Sequence, residues 1–357
     1  MSTWMLYGAY GHTGTLIAEE AVRRGHRPLL AGRSEAPLAA LASRLNLEYL
    51  TTDRQSEVFK HAVADVDLVL QAAGPFNQTT EPVVQACLVG GTHYMDIANE
   101  VPIFQLLRSY DEAARERHIA LMTGAGFGVI PTDCLVRFVA DQVPGATSVE
   151  AAIVLYSSAS SAGATKSGLD MLRAGGLVWR AGKLVRQRMG MGAKQIRFPD
   201  GVHTLIPAPF GELEAIHMTT GIPNITVYSS ALPSGSISRA ALPLLGQLLN
   251  IASLRRLLEN VLDQQAYRSS GREKGHTESG KSYIWARAAD EAGTDAQAWL
   301  EMGEGYLFSA AASVRAVEQL LASPPTGVIT PAQAFGADFV LDIPGTKRYT
   351  TLSAEIC

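Results

Sequence analysis

The chain has 357 residues, 47% of them hydrophobic, and 30 basic against 34 acidic residues give a net charge of −4. At about 100–200 residues per domain, that length predicts two cored domains, and the charge balance excludes the basic field that non-specific nucleic-acid binding uses. Cys87, Cys134 and Cys357 form neither a C-x-x-C pair nor an even framework, which argues against a zinc site and a secreted disulfide scaffold and makes the cytoplasm the expected location.

The N-terminal apolar run stops at Gly8, too early for a signal h-region or a membrane span, so no transmembrane segment is expected. From there short β-rich runs alternate with helical patterns. "TWMLY" precedes a helix over 13–24, "RPLLAG" one over 35–45, and "LEYLTT" one over 56–64. "DLVLQAA" precedes a helix over 81–89, "THYMDIA" one over 101–117, and "IALMTG" closes the series. Such alternation predicts right-handed crossovers in a six-stranded, doubly wound parallel sheet. A helix over 132–143 then leads through "PGA" into longer alternating runs: "SVEAAIVLYS", "KQIRF", "HTLIP", "NITVYSS", "KSYIWARAAD" and "AQAWLEM". Their hairpin signals predict a mostly antiparallel sheet.

Residues 239–265 carry leucines at helical spacing, which suits a packed helix, a dimer contact or a membrane surface. A helix over 305–322 follows, and Thr330 with Pro331 reads as an N-cap and first helical residue. The expected fold is α/β: a Rossmann domain over 1–130, an α+β substrate and dimerisation domain over 131–303, and a C-terminal helix and segment over 304–357 that pack back on both. A homodimer formed through the second domain is expected from its apolar area.

Gly8, Gly11 and Gly14 lie between the first strand and the first helix, where glycines permit close approach and helix-terminal N–H groups receive a pyrophosphate. Tyr10, His12 and Thr13 share that turn. Nineteen residues after Gly14, Arg33 and Ser34 follow the second strand, where an arginine accommodates a 2′-phosphate. This predicts NADP(H), against the blander alternative of an exposed arginine ending a strand. Ala73, Gly74, Pro75 and Phe76 follow the fourth strand, and ligands of open sheets bind beyond the carboxyl ends of strands. They are expected at the nicotinamide end, although a turn of this composition also has purely structural uses.

"GAYGHTG", "AGR", "AAGPF", "EPVVQACLVGGTHYMDIANE", "GAGFGVIPTD" and "TGIPNITVY" together resemble the saccharopine dehydrogenase-like NAD(P)-binding oxidoreductases, including trans-acting enoyl reductases. The likeness is dense over 1–145 and sparser beyond, where "SSASSAGATKSG" and "GVITPAQAFG" are also similar. It implies a Rossmann domain, a second domain carrying substrate contacts, and hydride transfer from NADPH to a C=N or C=C bond. Two departures stand out. Gly126, Phe127 and Gly128 replace a common "GFD", removing a carboxylate, and Tyr10 and His12 stand where Thr and Tyr are common.

Reduction also needs a proton donor within direct or one-water reach. On the fifth strand, alternation sends Tyr94 and Asp96 to one side and His93 to the other, with Glu100 just beyond. Tyr94 and then Asp96 are the expected donors; the structural alternatives are a core tyrosine and a capping aspartate. Lys166, between Thr165 and Ser167, is a further candidate acid or carboxylate anchor, or an exposed lysine at a helix start. Lys183, Arg186, Arg188, Lys194 and Arg197 form a basic run that suits a CoA- or phosphopantetheine-linked acyl group, or a solvated hairpin face.

The expected activity is NADPH-dependent reduction of an enoyl C=C bond, with a small-molecule or acyl-thioester substrate and an acyl carrier protein as a candidate partner. Imine reduction of the opine type is the alternative within the class, and a non-catalytic NADP(H)-sensing regulator the alternative outside it. No metal site is expected, because the eight histidines show no ligand spacing.

Overall fold

The computed structural model describes residues 3–156, 175–230 and 280–352. They fall into two compact units, Met1–Asp133 with Tyr306–Pro344 and Cys134–Gly305 with Gly345–Cys357. Residues 239–265 and Lys166 lie outside the described residues.

The first unit is built on strands β1 (Trp4–Tyr7), β2 (Leu29–Gly32), β3 (Tyr49–Thr51), β4 (Leu68–Gln71), β5 (His93–Asp96) and β6 (Ala120–Met122). All pair in parallel, and β1 lies between β2 and β4. Successive strands therefore leave β1 in opposite directions, which makes its carboxyl end the topological switch point where open sheets bind ligands. Every residue of β1 and β4 is buried, as parallel strands covered on both faces require. A seventh strand, Gly327–Val328, joins β6 from far along the chain. The sequence count of six missed it, because two residues carry no alternation to read.

Helices α1 (His12–Arg23), α2 (Glu35–Leu45) and α3 (Glu57–Ala64) start close to their expected positions, and the Ser56 hydroxyl caps α3 by accepting from the Phe59 N–H. Two expectations fail. Helix α4 runs Phe76–Gly90 with Pro82 inside it, whereas the Glu81–Pro82 pair reads as a helix start. Thr79 is what fixes the earlier start: its hydroxyl contacts the carbonyls of Ala73 at 2.7 Å and Pro75 at 3.2 Å. The helix expected over 101–117 is two helices, α5 (Val101–Arg108) and α6 (Asp111–Glu116). At their junction the Ser109 hydroxyl donates to Leu106 O at 2.6 Å and the Tyr110 N–H to Leu107 O at 2.8 Å, tightening the last turn.

Helix α7 (Ile130–Ala140) begins two residues before its expected start. The helix Gly305–Ala322 matches its sequence pattern and belongs, from Tyr306, to the first unit. Arg24 forks onto Glu318 at 2.7 and 2.5 Å, and His26 reaches the same carboxylate at 3.0 Å. Thr330 caps the helix Pro331–Phe335 through a reciprocal capping box with Gln333.

The second unit holds β7 (Ser148–Val154), β8 (Gly176–Arg180), β9 (Lys183–Gln187), β10 (Lys194–Phe198), β11 (Gly201–Pro207), β12 (Asn224–Ser229), β13 (Ser282–Ala289), β14 (Asp295–Met302) and a last strand Lys347–Tyr349. The order is β10-β11-β12-β7-β13-β14 and the last strand, with the β8–β9 hairpin beside β12. Among the described residues only β12–β7 is parallel, so the sheet is mixed but mostly antiparallel. The basic run is hairpin: Lys183 and Arg186 lie on β9, while Lys194 on β10 pairs with Glu150. Trp285, Trp299, Phe198 and Tyr283 fill the core, and the Trp299 indole N–H donates to Arg197 O at 2.8 Å. Among the described residues, no helix is long and apolar enough to cross a membrane.

Burial pushes the Glu318 carboxyl up, but hydrogen bonds from Arg24, His26 and Arg315 outweigh it and hold the group down to about 2 from 4.5. A depressed carboxylate stabilises the fold above its unfolded pKa and loses that contribution as pH falls toward the folded one. Glu318→Gln is therefore expected to cost about 1–2 kcal/mol at pH 7, allowing for solvent screening. In urea unfolding the gap to wild type should close as pH falls from about 4.5 toward 2; a constant gap contradicts this.

Candidate functional site

The turn from β1 into α1 is held by contacts too close for side chains. At Gly8, with φ of 85°, an added Cβ would lie 2.7 Å from both the Ala73 Cβ and N. At Gly14 it would lie 2.3 Å from the Gly8 carbonyl oxygen and 2.9 Å from that of Ala9. Both distances are below any real contact, so these glycines bring the first turn of α1 against the β1 turn and the β1 turn against the β4 turn. Gly11, the N-cap, donates its N–H to Gly8 O at 3.1 Å, and no acidic side chain occupies the first turn of α1. That helix end suits an anion electrostatically.

The ends of β2 and β4 flank this turn. A Cβ on Gly32 would meet Tyr10 Cε1 at 2.5 Å, so the Tyr10 ring lies flush against the end of β2, and its hydroxyl donates to Ser34 Oγ at 3.3 Å. Arg33 is exposed. After β4, Ala73 and Phe76 are half-buried and Gly74 and Pro75 exposed, on a turn held by Thr79. The structure thus brings Gly8, Tyr10, Gly11, Gly14, Ser34 and Ala73 together; His12 and Thr13 form the start of α1 beside them.

Beyond β3, sequence reading passed over Arg54. Its Nε is buried with no hydrogen-bond partner, as is the Tyr7 hydroxyl at the end of β1. The signal was a second arginine, in "TTDRQ", at the end of the strand paired with β2.

The two expected proton donors occupy a different environment. Tyr94 and Asp96 are both fully buried, and the Tyr94 hydroxyl donates to Asp96 Oδ2 at 2.7 Å. Asp96 Oδ1 accepts from the Thr123 hydroxyl at 2.6 Å and from the N–H groups of Ala98 at 3.0 Å and Gly124 at 3.3 Å. Burial pushes the Asp96 carboxyl up to about 6, while its hydrogen bonds from Thr123, Tyr94, Ala98 and Gly124 resist the rise. Burial, with the adjacent carboxylate, drives the Tyr94 phenol well up. In this structure every polar atom of the pair is turned to the protein, and the pair holds the loops after β5 and β6. Alternation did place Tyr94 and Asp96 on one side; His93 Nδ1, on the other, accepts from the Ala120 N–H at 3.0 Å.

At Gly128, where the family resemblance implies an aspartate, a Cβ would come within 2.8 Å of Asn99 Nδ2. The Asn99 side chain takes the space that a side chain at 128 would use. Among the described residues, no group of three His, Cys, Asp or Glu could hold a metal.

Residues 4–122 match the family model of the saccharopine dehydrogenase NADP binding domain. A saccharopine dehydrogenase-like oxidoreductase from Bos taurus is 28% identical over 175 residues, covering 43% of this chain and 41% of that protein. A Mycobacterium tuberculosis protein provisionally named a trans-acting enoyl reductase is 31% identical over 139 residues, covering 36% of this chain and 33% of that one. The match therefore spans about two fifths, or less, of the length of these relatives. Apo saccharopine dehydrogenase (L-Glu forming) from Saccharomyces cerevisiae shares the fold over 98% of this chain and all of its own, with a TM-score of 0.66 at 13% identity. The chain resembles the saccharopine dehydrogenase-like NAD(P)-binding oxidoreductases, and within its first unit residues 4–122 are similar to their NADP binding domain.

The Asp96 carboxyl, held above its ordinary 3.8, binds its proton more tightly folded than unfolded. Its contribution to stability is complete below about 3.8 and declines as pH rises through about 6, by about 2–3 kcal/mol in all. Asp96→Asn should remove that component, so the stability of wild type relative to the variant should fall between pH 4 and 7, measured by urea unfolding. A difference independent of pH contradicts the assignment.

Proposed function

We propose that this saccharopine dehydrogenase-like chain is an NADPH-dependent oxidoreductase that reduces the C=C bond of an enoyl thioester. The observation that carries the cofactor reading is the pairing of a glycine turn with no room for a Cβ at Gly8 or Gly14 with an exposed arginine, rather than a carboxylate, immediately after β2. Arg33 presents a planar fork that matches a phosphate, and Ser34 adds a hydroxyl. When bound, the cofactor supplies the hydride.

The chain's own part follows from the site. When the cofactor is bound, the N-terminal turn of α1 would hold the pyrophosphate, Arg33 the 2′-phosphate, and the turn Ala73–Phe76 the nicotinamide end. Tyr94 and Asp96 orient the loops after β5 and β6 rather than hand over a proton. With that pair committed to the protein, a solvent water is left to protonate the α-carbon of a reduced enoyl group. Imine reduction benefits from an acid that keeps nitrogen protonated, so the burial of the pair favours the C=C reading. The name of the Mycobacterium relative supports the same choice. An acyl carrier protein is the partner this reading suggests, with the exposed Lys183, Arg186 and Arg188 as candidate contacts for its phosphopantetheine phosphate.

Fluorescence titration should show tighter binding of NADPH than NADH, and Arg33→Asp should weaken NADPH selectively, by about 1.5–3 kcal/mol. Deuteride from labelled NADPH should appear at the β-carbon of an enoyl thioester. Equal affinity for the two cofactors contradicts the cofactor reading. Deuteride found only on an imine carbon selects the opine-type reading, and none on any acceptor selects the non-catalytic regulator.

A further inference from the structure

The NADP(H) reading above rests on one arginine, Arg33. The geometry points to Arg54 as a second guanidinium on the adenosine 2′-phosphate and therefore as a determinant of cofactor choice; this assignment rests on that reading. Gly32 and Thr51 are register partners at the carboxyl ends of β2 and β3, and the Thr52 N–H donates to Gly32 O at 2.9 Å. The chain beyond β3 thus leaves the sheet beside the chain that carries Arg33.

The turn holding Arg54 is pinned from both sides. Ser56 donates its N–H to Asp53 O at 3.0 Å and its hydroxyl to the same oxygen at 2.8 Å, and Ser56 Oγ meets Thr52 Oγ1 at 2.6 Å. The Arg54 side chain, only 16% exposed, therefore has a fixed root. Its carboxylate neighbour among the described residues, Asp53, stands 4.0 Å away with a half-exposed side chain, and Asp53 Oδ1 already accepts from the Gln55 N–H. Arg54 Nε and the Tyr7 hydroxyl are buried without hydrogen-bond partners.

A half-buried guanidinium whose nearest ion pair is as long as 4.0 Å is only weakly compensated, and an arginine fork is the group that a phosphate pairs with best. The Tyr7 phenol responds to both cations: burial and Asp53 raise its proton affinity, while Arg54, through its charge and its side-chain contact with the hydroxyl, and Arg33, through its charge, lower it. The two guanidiniums therefore act on one hydroxyl at the end of β1, beside the site given to the adenosine ribose. A phosphate there would pair with the accessible edge of the Arg54 guanidinium together with Arg33. An unphosphorylated ribose would leave Arg54 as it stands.

The test is calorimetric titration of the full chain with 2′,5′-ADP and 5′-AMP, for wild type, Arg54→Ala and Arg54→Lys. Arg54→Ala should weaken 2′,5′-ADP by about tenfold or more, the scale of a hydrogen bond to a charged group. Binding of 5′-AMP should be unchanged, which also reports that the variant is folded, and Arg54→Lys should recover only part of the loss because it lacks the fork. Equal losses on both ligands would make Arg54 an adenine contact and overturn the assignment, as would no loss at all. Should Arg54→Ala not fold, the same comparison stands on Arg54→Lys, for which full 2′,5′-ADP affinity overturns the assignment. Wild type binding both ligands equally well would overturn the NADP(H) reading and this inference together. Wild-type preference for 2′,5′-ADP that survives in the variants overturns the Arg54 assignment alone.

Discussion

The candidate site depends on the absence of side chains at Gly8 and Gly14. Any Cβ at Gly14 would stand 2.3 Å from the Gly8 carbonyl, and any at Gly8 would stand 2.7 Å from Ala73. Those two contacts set how far α1 stands from β1 and how closely the turn after β4 approaches. Overpacking either would push the helix terminus away from the switch point of the sheet, and the anion-binding geometry would go with it. A similar constraint closes the end of β2, where Gly32 leaves room for the Tyr10 ring.

Around this crevice the first unit is tied by polar clusters whose members come from distant parts of the chain. Asp96 gathers Tyr94, Thr123, Ala98 and Gly124, fixing the exits of β5 and β6. Glu318 gathers Arg24, His26 and Arg315, joining the helix Gly305–Ala322 to the end of α1. They respond oppositely to acid, since burial dominates at Asp96 and hydrogen bonding at Glu318. A network around a buried carboxylate specifies a loop arrangement when all its members are satisfied, which is how a residue remote from the reacting atoms can still matter to them.

Much of this was legible in the sequence because the cues are local. The apolar runs of β1 and β4, the helix start near Ser56 and the Thr330 N-cap each depend on neighbours within a few residues. The glycine turn was readable for the same reason, as was the Arg33–Ser34 pair. Longer-range features were not. Gly327–Val328 becomes a strand only because β6 offers an edge, and α4 starts at Phe76 because Thr79 reaches back to Ala73 and Pro75. Strand alternation placed Tyr94 and Asp96 on one side of β5 but carried no information about Thr123 and Gly124, whose groups turn a candidate acid into a buried hub. Arg54 escaped notice because its meaning depends on the register of β3 with β2.

Hydrogen exchange measured with and without NADPH tests most directly whether the crevice at the carboxyl ends of β1, β2 and β4 holds the dinucleotide. The account predicts new protection concentrated at residues 8–15, 32–34, 52–56 and 73–79, with the Thr13 and Gly14 amides at the start of α1 among the most strongly slowed. Protection confined to the second unit, or none at saturating NADPH, would contradict it.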